Sequence, residues 1–533
     1  MKNIIFVLFL VFGLQMSNSQ EHAWVYFKDK PNAASFMSTP LTMLTQKALD
    51  RRSKQNINID ITDVPIERSY IESIIGNTGI AVKAKSKWLN ALHILGSEID
   101  ILALENLSFV DRIEFAANDL NNRPQNTKLT KNKFNVKTTF NYGSAANQIE
   151  MLKGDFLHQQ DFTGTGMTIA VLDGGFPNVN VFSAFQRLRA NDQILGGYDY
   201  VHRNSNFYTG DSHGTSVLST MVGFVNGQLV GTAPDANYYL FITEDSAIEI
   251  PLEESLWVEA AERADSLGVD IINTSLGYST FDDARYNYTY ADMNGKTAFI
   301  TRGADIAFSR GMIIVNSAGN SGSDTWHYIT APADGFDVLT IGAVDENEII
   351  MVFSSFGPTA DGRIKPDANA KGGSTTIING SGVVSTGSGT SFASPVICGV
   401  IACFWQAYPN KTNTEIVQII RESGHLFTSP TDQEGYGIPD FQNAFNTLTI
   451  DDNFMDNFEL YPNPFQDKIK FQFQNDFNEL QVSIYDVLGK RILDKQISKH
   501  SPVLQVSHLS KGLYILKIIQ NNKSRSFKMI KEE

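Results

Sequence analysis

Between about residues 147 and 448, short apolar runs alternate with longer amphipathic ones, and this rhythm constrains the chain more than any other feature. A strand buried on both faces reads as near-continuous Val, Ile and Leu. The amphipathic stretch that follows supplies the helix returning the chain for the next parallel strand. TIAVLD (168–173), YYLFI (238–242), VDIINTS (269–275), MIIVNSAGN (312–320) and DVLTIGAV (337–344) are expected strands, with helices expected at 253–267, 298–310 and 414–422. The fold class is α/β, a parallel β-sheet flanked by helices. In such sheets chemistry gathers where strands end.

The flanking regions have other rhythms. With 533 residues the chain is several domains long. Lys2, an apolar run from Ile4 to Leu14, and small Ser17 and Ser19 before Gln20 form a secretory signal over residues 1–19. Residues 20–118 read as a small α+β domain, from the strand-like AWVYF to an edge strand in FVDRIEF. Residues 119–146 form a basic, cleavable linker, with Arg123, Lys128, Lys131, Lys133 and Lys137 and no acid between Leu120 and Phe140. An acidic linker, 449–457, precedes a small all-β sandwich at 458–533, where period-two alternation is broken by turn residues.

Charge and sulfur narrow the partners. The net charge of −15 repels phosphate backbones, so nucleic acid is excluded as a partner. No run after the signal is long enough for a transmembrane anchor, the nearest being the interrupted stretch 395–405. The two cysteines, Cys398 and Cys403, lie five apart on one expected helix, where they cannot bridge each other; they are read as buried apolar fillers.

Three motifs at strand ends carry chemistry. Asp173 closes TIAVLDGG, His213 lies in GDSHGTSVLSTMVG where Asp211 or Ser212 can cap a helix, and Ser391 lies in GSGTSFASP, where Pro395 fits the first turn of a following helix. A serine is a poor nucleophile until a base takes its proton, and a buried carboxylate on the other ring nitrogen fixes that base's tautomer. The three residues fill those roles in the chain order Asp, His, Ser, which one of the unrelated solutions to this problem uses. Asn320, in NSAGN just after a strand, can turn its amide toward a developing oxyanion beside the Ser391 N–H.

These motifs, AVLDGG, HGTSVLSTMVG, NTSLG (273–277), NSAGN and GTSFASP, resemble those of the subtilisin-like serine proteases, the subtilases. APADGFDVLTIGAV, SSFGP (354–358) and GYGIPDFQNA (435–444) extend the resemblance over about three hundred residues. It implies Asp173, His213 and Ser391 as a catalytic triad and Asn320 as oxyanion donor. Ser275, Leu276, Gly277, Ala318 and Gly319 would bind an extended peptide substrate. Gly174 and Phe392 stand where the family commonly has Ser or Thr and Met. Residues 20–118 resemble the inhibitory pro-domain of subtilases, whose exit strand fills the cleft until the linker is cut. YPNPF (461–465), IYDVLGK (484–490) and GLYILKI (512–518) resemble the C-terminal sorting domain of type IX secretion substrates, which engages the secretion machinery.

The expected product is a secreted or cell-surface serine endopeptidase acting on proteins or peptides and made as a self-processing zymogen. Its own pro-domain would be its intramolecular inhibitor. No cofactor is required. Structural calcium is common in the family, but no ligands can be assigned, and the nine histidines show no metal-binding spacing. Because Ser321 follows Asn320, no carboxylate is evident to select a basic residue, and a large apolar residue is expected before the cut. G-D-S-H-G at 210–214 formally fits an esterase elbow with Ser212 as nucleophile. No buried strand precedes it and no oxyanion loop accompanies it, so that reading is rejected. The alternative is a catalytically inactive subtilase fold acting as a surface adhesin or binding protein.

Overall fold

The computed structural model describes residues 20–117, 140–456, 458–473, 479–486, 490–498, 501–520 and 523–532. The expected secretory signal at 1–19 and most of the expected basic linker lie outside the described residues. The chain divides into two compact units, ending and beginning at Gln442 and Asn443.

The first unit opens with a four-stranded antiparallel sheet. Its strands are β1 (Gln20–Phe27), β2 (Ala81–Ser86), β3 (Ala91–Ser97) and β4 (Val110–Phe115), in the order β2-β3-β1-β4. FVDRIEF is thus an edge strand, as its mixed polarity implies. The connection from β1 to β2 includes the helices α1 (Gln46–Lys54) and α2 (Arg68–Ile75). Val25, Leu92, Ile94, Ile74 and Ile101 form the core between sheet and helices.

A seven-stranded sheet forms the body of the same unit. Its strands are β5 (Thr168–Asp173), β6 (Ile194–Asp199), β7 (Asn237–Ile242), β8 (Ile271–Thr274), β9 (Ile313–Ser317), β10 (Val338–Val344) and β11 (Ala368–Lys371). They are ordered β11-β10-β9-β8-β5-β7-β6, and every pairing is parallel. All six residues of β5 are buried, which follows from helices covering both faces. Helix α3 (His213–Val222) follows β6, α4 (Leu252–Leu267) links β7 to β8, and α5 (Phe299–Ser309) links β8 to β9.

Helix α6 (Thr390–Ala407) is the buried centre of the body. Among the described residues it alone is long and apolar enough to cross a membrane, and its place in the core explains that composition. Cys398 and Cys403 lie on it, buried and unbridged, with the Cys403 thiol donating to the Thr232 carbonyl at 3.2 Å. Pro395 falls beyond the first turn, not within it as the motif had implied. It deprives the Ser391 carbonyl of its helical N–H partner, and the Ser275 hydroxyl donates to that carbonyl instead, at 2.9 Å.

Two linkers differ from expectation. Ser144 already packs on the body, its carbonyl accepting from the Thr376 hydroxyl at 2.9 Å, so the linker's end is part of the fold. A helix spanning Phe441–Asp456 runs through the expected acidic linker. The second unit holds two antiparallel sheets. One is formed by Phe458–Tyr461, Lys468–Phe473 and Val503–Gln505, the other by Glu479–Asp486, Arg491–Ser498, Gly512–Gln520 and Lys523–Lys531. Phe465, Ile469, Val482, Ile484, Leu516 and Ile518 are buried in its core.

Candidate active site

Asp173 ends β5, 3% exposed, its carboxylate accepting from the Gly174 N–H at 2.8 Å. His213 begins α3. The Asp211 carboxylate accepts its backbone N–H at 2.7 Å, so Asp211 rather than Ser212 caps this end. The helix can start so near the strand because of Gly214. A Cβ there would stand 2.3 Å from the Gly175 carbonyl and 3.0 Å from the Asp173 Cβ.

The pairing that results is close. His213 Nδ1 lies 2.9 and 3.1 Å from the two Asp173 carboxylate oxygens. The Asp173 charge raises the imidazole to about 9, against the opposing effect of desolvation. Asp211 and Glu244 add to the same upward shift.

Ser391 is half-buried on the first turn of α6, and the ring of the next residue, Phe392, is centred 6.0 Å from that of His213. The Ser391 hydroxyl donates to the Ser275 carbonyl at 3.3 Å, and no hydrogen bond joins it to His213. Catalytic hydrogen bonds of this kind commonly tighten only when substrate is bound. A buried chain of bonds fixes the serine's turn against the end of β8. Ser275 Oγ donates to the Ser391 carbonyl, Asn273 Nδ2 donates to Ser275 Oγ at 3.4 Å, and Ser394 Oγ donates to Asn273 Oδ1 at 3.1 Å.

Asn320 follows β9. Its amide oxygen accepts from the Thr390 N–H at 2.8 Å and from the Thr390 hydroxyl at 3.0 Å. With the oxygen held this way, the amide NH₂ is the group left to donate. Thr390 is a positioning residue that sequence reasoning did not single out, although it lies within GTSFASP.

A cavity of about 430 Å³ opens beside Ser391 and Asn320. Ser275, Leu276, Gly277 and Gly319 line it, as the sequence reading expected of a substrate cleft. Ala318 does not. It is fully buried with Ile329 and Ala333, its N–H donating to the Ile341 carbonyl, because residues alternate sides as the chain leaves β9. Glu249, Asp282 and Thr330 also line the cavity, and none of them carries a sequence signal.

Residues 164–442, just over half of the chain, match the model described as Subtilase family. The chain belongs to the subtilase family. The subtilase domain is flanked by a match at 22–133 to the Peptidase S8 propeptide domain, Bacteroidota, and by one at 459–532 to the Secretion system C-terminal sorting domain. That last domain marks the subtilase as a secreted or cell-surface protein. Serine protease AprX of Bacillus subtilis is 29% identical over 292 residues, which are 49% of this chain and 62% of AprX. Subtilisin NAT of Bacillus subtilis subsp. natto is 30% identical over 275 residues, 50% of this chain and 63% of that protein. Subtilisin DY of Bacillus licheniformis is 28% identical over 270 residues, 50% of this chain and 87% of that protein. The subtilase thus spans about three fifths of the length of the first two of these relatives.

The propeptide domain sits on α4 and α5. Trp24 stacks on Phe299, ring centres 4.6 Å apart, and its indole N–H donates to Ser255 Oγ at 2.7 Å. The Glu262 carboxylate accepts from the backbone N–H of Lys87 and Trp88 and from Ser86 Oγ, at 2.6 to 3.0 Å. Arg52 joins Asp63 of the propeptide to Asp265 of α4, all three side chains nearly fully buried. Beyond Ala117, the exit strand expected to fill the cleft lies outside the described residues.

Proposed function

We propose that this protein is a secreted serine endopeptidase, made as a self-processing zymogen, that hydrolyses peptide bonds of proteins through an Asp-His-Ser triad. The observation that carries the reading is the Asp173–His213 pair, 2.9 Å apart, whose imidazole is centred 6.0 Å from the ring of Phe392, the residue after Ser391, while Thr390 on the other side of Ser391 holds the Asn320 amide. In the forward reaction Ser391 Oγ attacks the peptide carbonyl while His213 accepts its proton. Asp173 holds the imidazole, and the oxyanion receives the Asn320 amide and the Ser391 N–H. His213 then protonates the departing amine, and water releases the acyl-enzyme by the same path.

The propeptide domain is the intramolecular inhibitor and the C-terminal domain is the contact with the secretion machinery. None of these steps uses a cofactor. The catalytically inactive surface-binding alternative draws on one observation, the Ser391 hydroxyl resting on Ser275. Phenylmethylsulfonyl fluoride separates the two. The proposed enzyme is labelled once, on the peptide containing Ser391, and loses casein hydrolysis in step. An unlabelled Ser391 in processed protein would contradict the triad.

A further inference from the structure

The residue that a subtilase cleft selects is set by what lines it, and here the lining is polar and acidic. The cavity beside Ser391 is walled by the backbone at Gly277 and Gly319. Thr330 closes it between them, 5% exposed, with an Oγ1 that no group among the described residues pairs. That oxygen lies so near the wall that a Cβ on Gly277 would stand 2.1 Å from it, and one on Gly319 3.3 Å away. A buried hydroxyl left without a partner at the wall of an open cavity is placed to meet a polar group on whatever enters.

Two carboxylates complete the lining. Glu249 and Asp282 lie on separate loops that the backbone ties together. The Glu249 N–H donates to the Asp282 carboxylate at 3.1 Å, and the Asp282 N–H donates to the Glu249 carbonyl at 2.9 Å. Neither carboxylate has an ion-pair partner among the described residues, and no lysine or arginine lines the cavity. Two acids held side by side without a cation repel each other and favour a positive charge that enters.

We propose that this cavity selects substrates with a lysine or arginine on the acyl side of the scissile bond, Glu249 and Asp282 being the specificity-determining carboxylates and Thr330 Oγ1 a further acceptor. This replaces the large apolar residue expected from the sequence, and it rests on the endopeptidase reading above. The wider charge of the protein works the same way, since −15 draws cationic peptides toward the cleft. Burial raises the Glu249 carboxyl to about 7, with Asp282 adding to the shift, so the preference strengthens as pH rises through neutrality and ionises it.

The test uses the mature product of the full chain and a set of internally quenched peptides. These vary each acyl-side position in turn among Lys, Arg, Gln, Met, Leu and Glu, with casein hydrolysis measured alongside. At one position Lys or Arg should exceed isosteric Gln or Met in kcat/KM by about tenfold. The advantage should shrink in about 0.5 M salt. Glu249→Lys combined with Asp282→Lys should shift the preference toward Glu. Should that variant fail to fold, the wild-type profile and its salt dependence decide alone. Equal or better cleavage after Leu and Met at every position, with casein digested, overturns the charge selection and leaves the endopeptidase reading standing. If neither casein nor any peptide is cut, the endopeptidase reading falls, and the proposal with it.

Discussion

Asn320 and His213 are the residues at which single roles can be isolated. Asn320 spends its amide oxygen on Thr390 and keeps its NH₂ for the substrate. Asn320→Ala should therefore lower kcat by about 100- to 1000-fold with little change in KM, the range for removing one such donor from a subtilisin. His213 is raised above its ordinary value by the Asp173 charge, and only the neutral imidazole accepts a proton. On acidification kcat/KM should accordingly fall through an apparent pKa above 6.5, a limb that a pH–rate profile reads directly. Asp173→Asn should move that limb downward and lower kcat by about 10,000-fold. Asp173, His213, Ser391 and Asn320 were legible because each lies in a short contiguous motif. Glu249 and Asp282 were not, since loops 33 residues apart meet only through hydrogen bonds made in the fold. Ala318 misled because adjacency to Gly319 in sequence does not place two residues on one side of a chain.

At the scale of elements, the five strands read from apolar runs lie within a residue or two of the observed ones, apart from the motif residues trailing two of them. Two strands of the seven-stranded sheet escaped notice. ILGGYD in β6 is interrupted by glycines, and ANAK in β11 is short and polar although buried, so neither carries a β-branched run. The strand and helix pattern of the pro-domain was legible, but not what docks it, since those contacts cross from one element to another.

One of those contacts is a histidine pair. His22 Nδ1 lies 2.9 Å from His93 Nε2, and His93 Nδ1 lies 2.7 Å from Ser255 Oγ of α4. Burial lowers His22 to about 4 and His93 well below its ordinary value. Histidines depressed in this way contribute fully above about pH 6.5, and their contribution is lost as pH falls toward 4, at up to about 1.4 kcal/mol per pH unit for each. Glu254 and Glu262, raised to about 7 by burial, act in the opposite direction between neutrality and about pH 4.5, so the variant difference is the informative quantity. Urea unfolding of the uncleaved zymogen should show the parent losing more stability than His22→Gln between pH 6.5 and 4. Parallel curves would remove the pair from that role.

Over the whole molecule, composition and motif order were enough to tell the propeptide domain, the subtilase body and the C-terminal sorting domain apart, because each has its own periodicity. The boundaries were less legible. The helix Phe441–Asp456 carries Asp451 and Asp452 without a break, so acidity alone did not mark a linker. The central claim is that Ser391 both matures the chain and powers its activity. Intact mass and N-terminal sequence of secreted wild type beside Ser391→Ala test it most directly. The account predicts that wild type loses the first hundred or so residues while Ser391→Ala retains the pro-domain. Identical termini on the two proteins, when purified from a host lacking other secreted proteases, would contradict it.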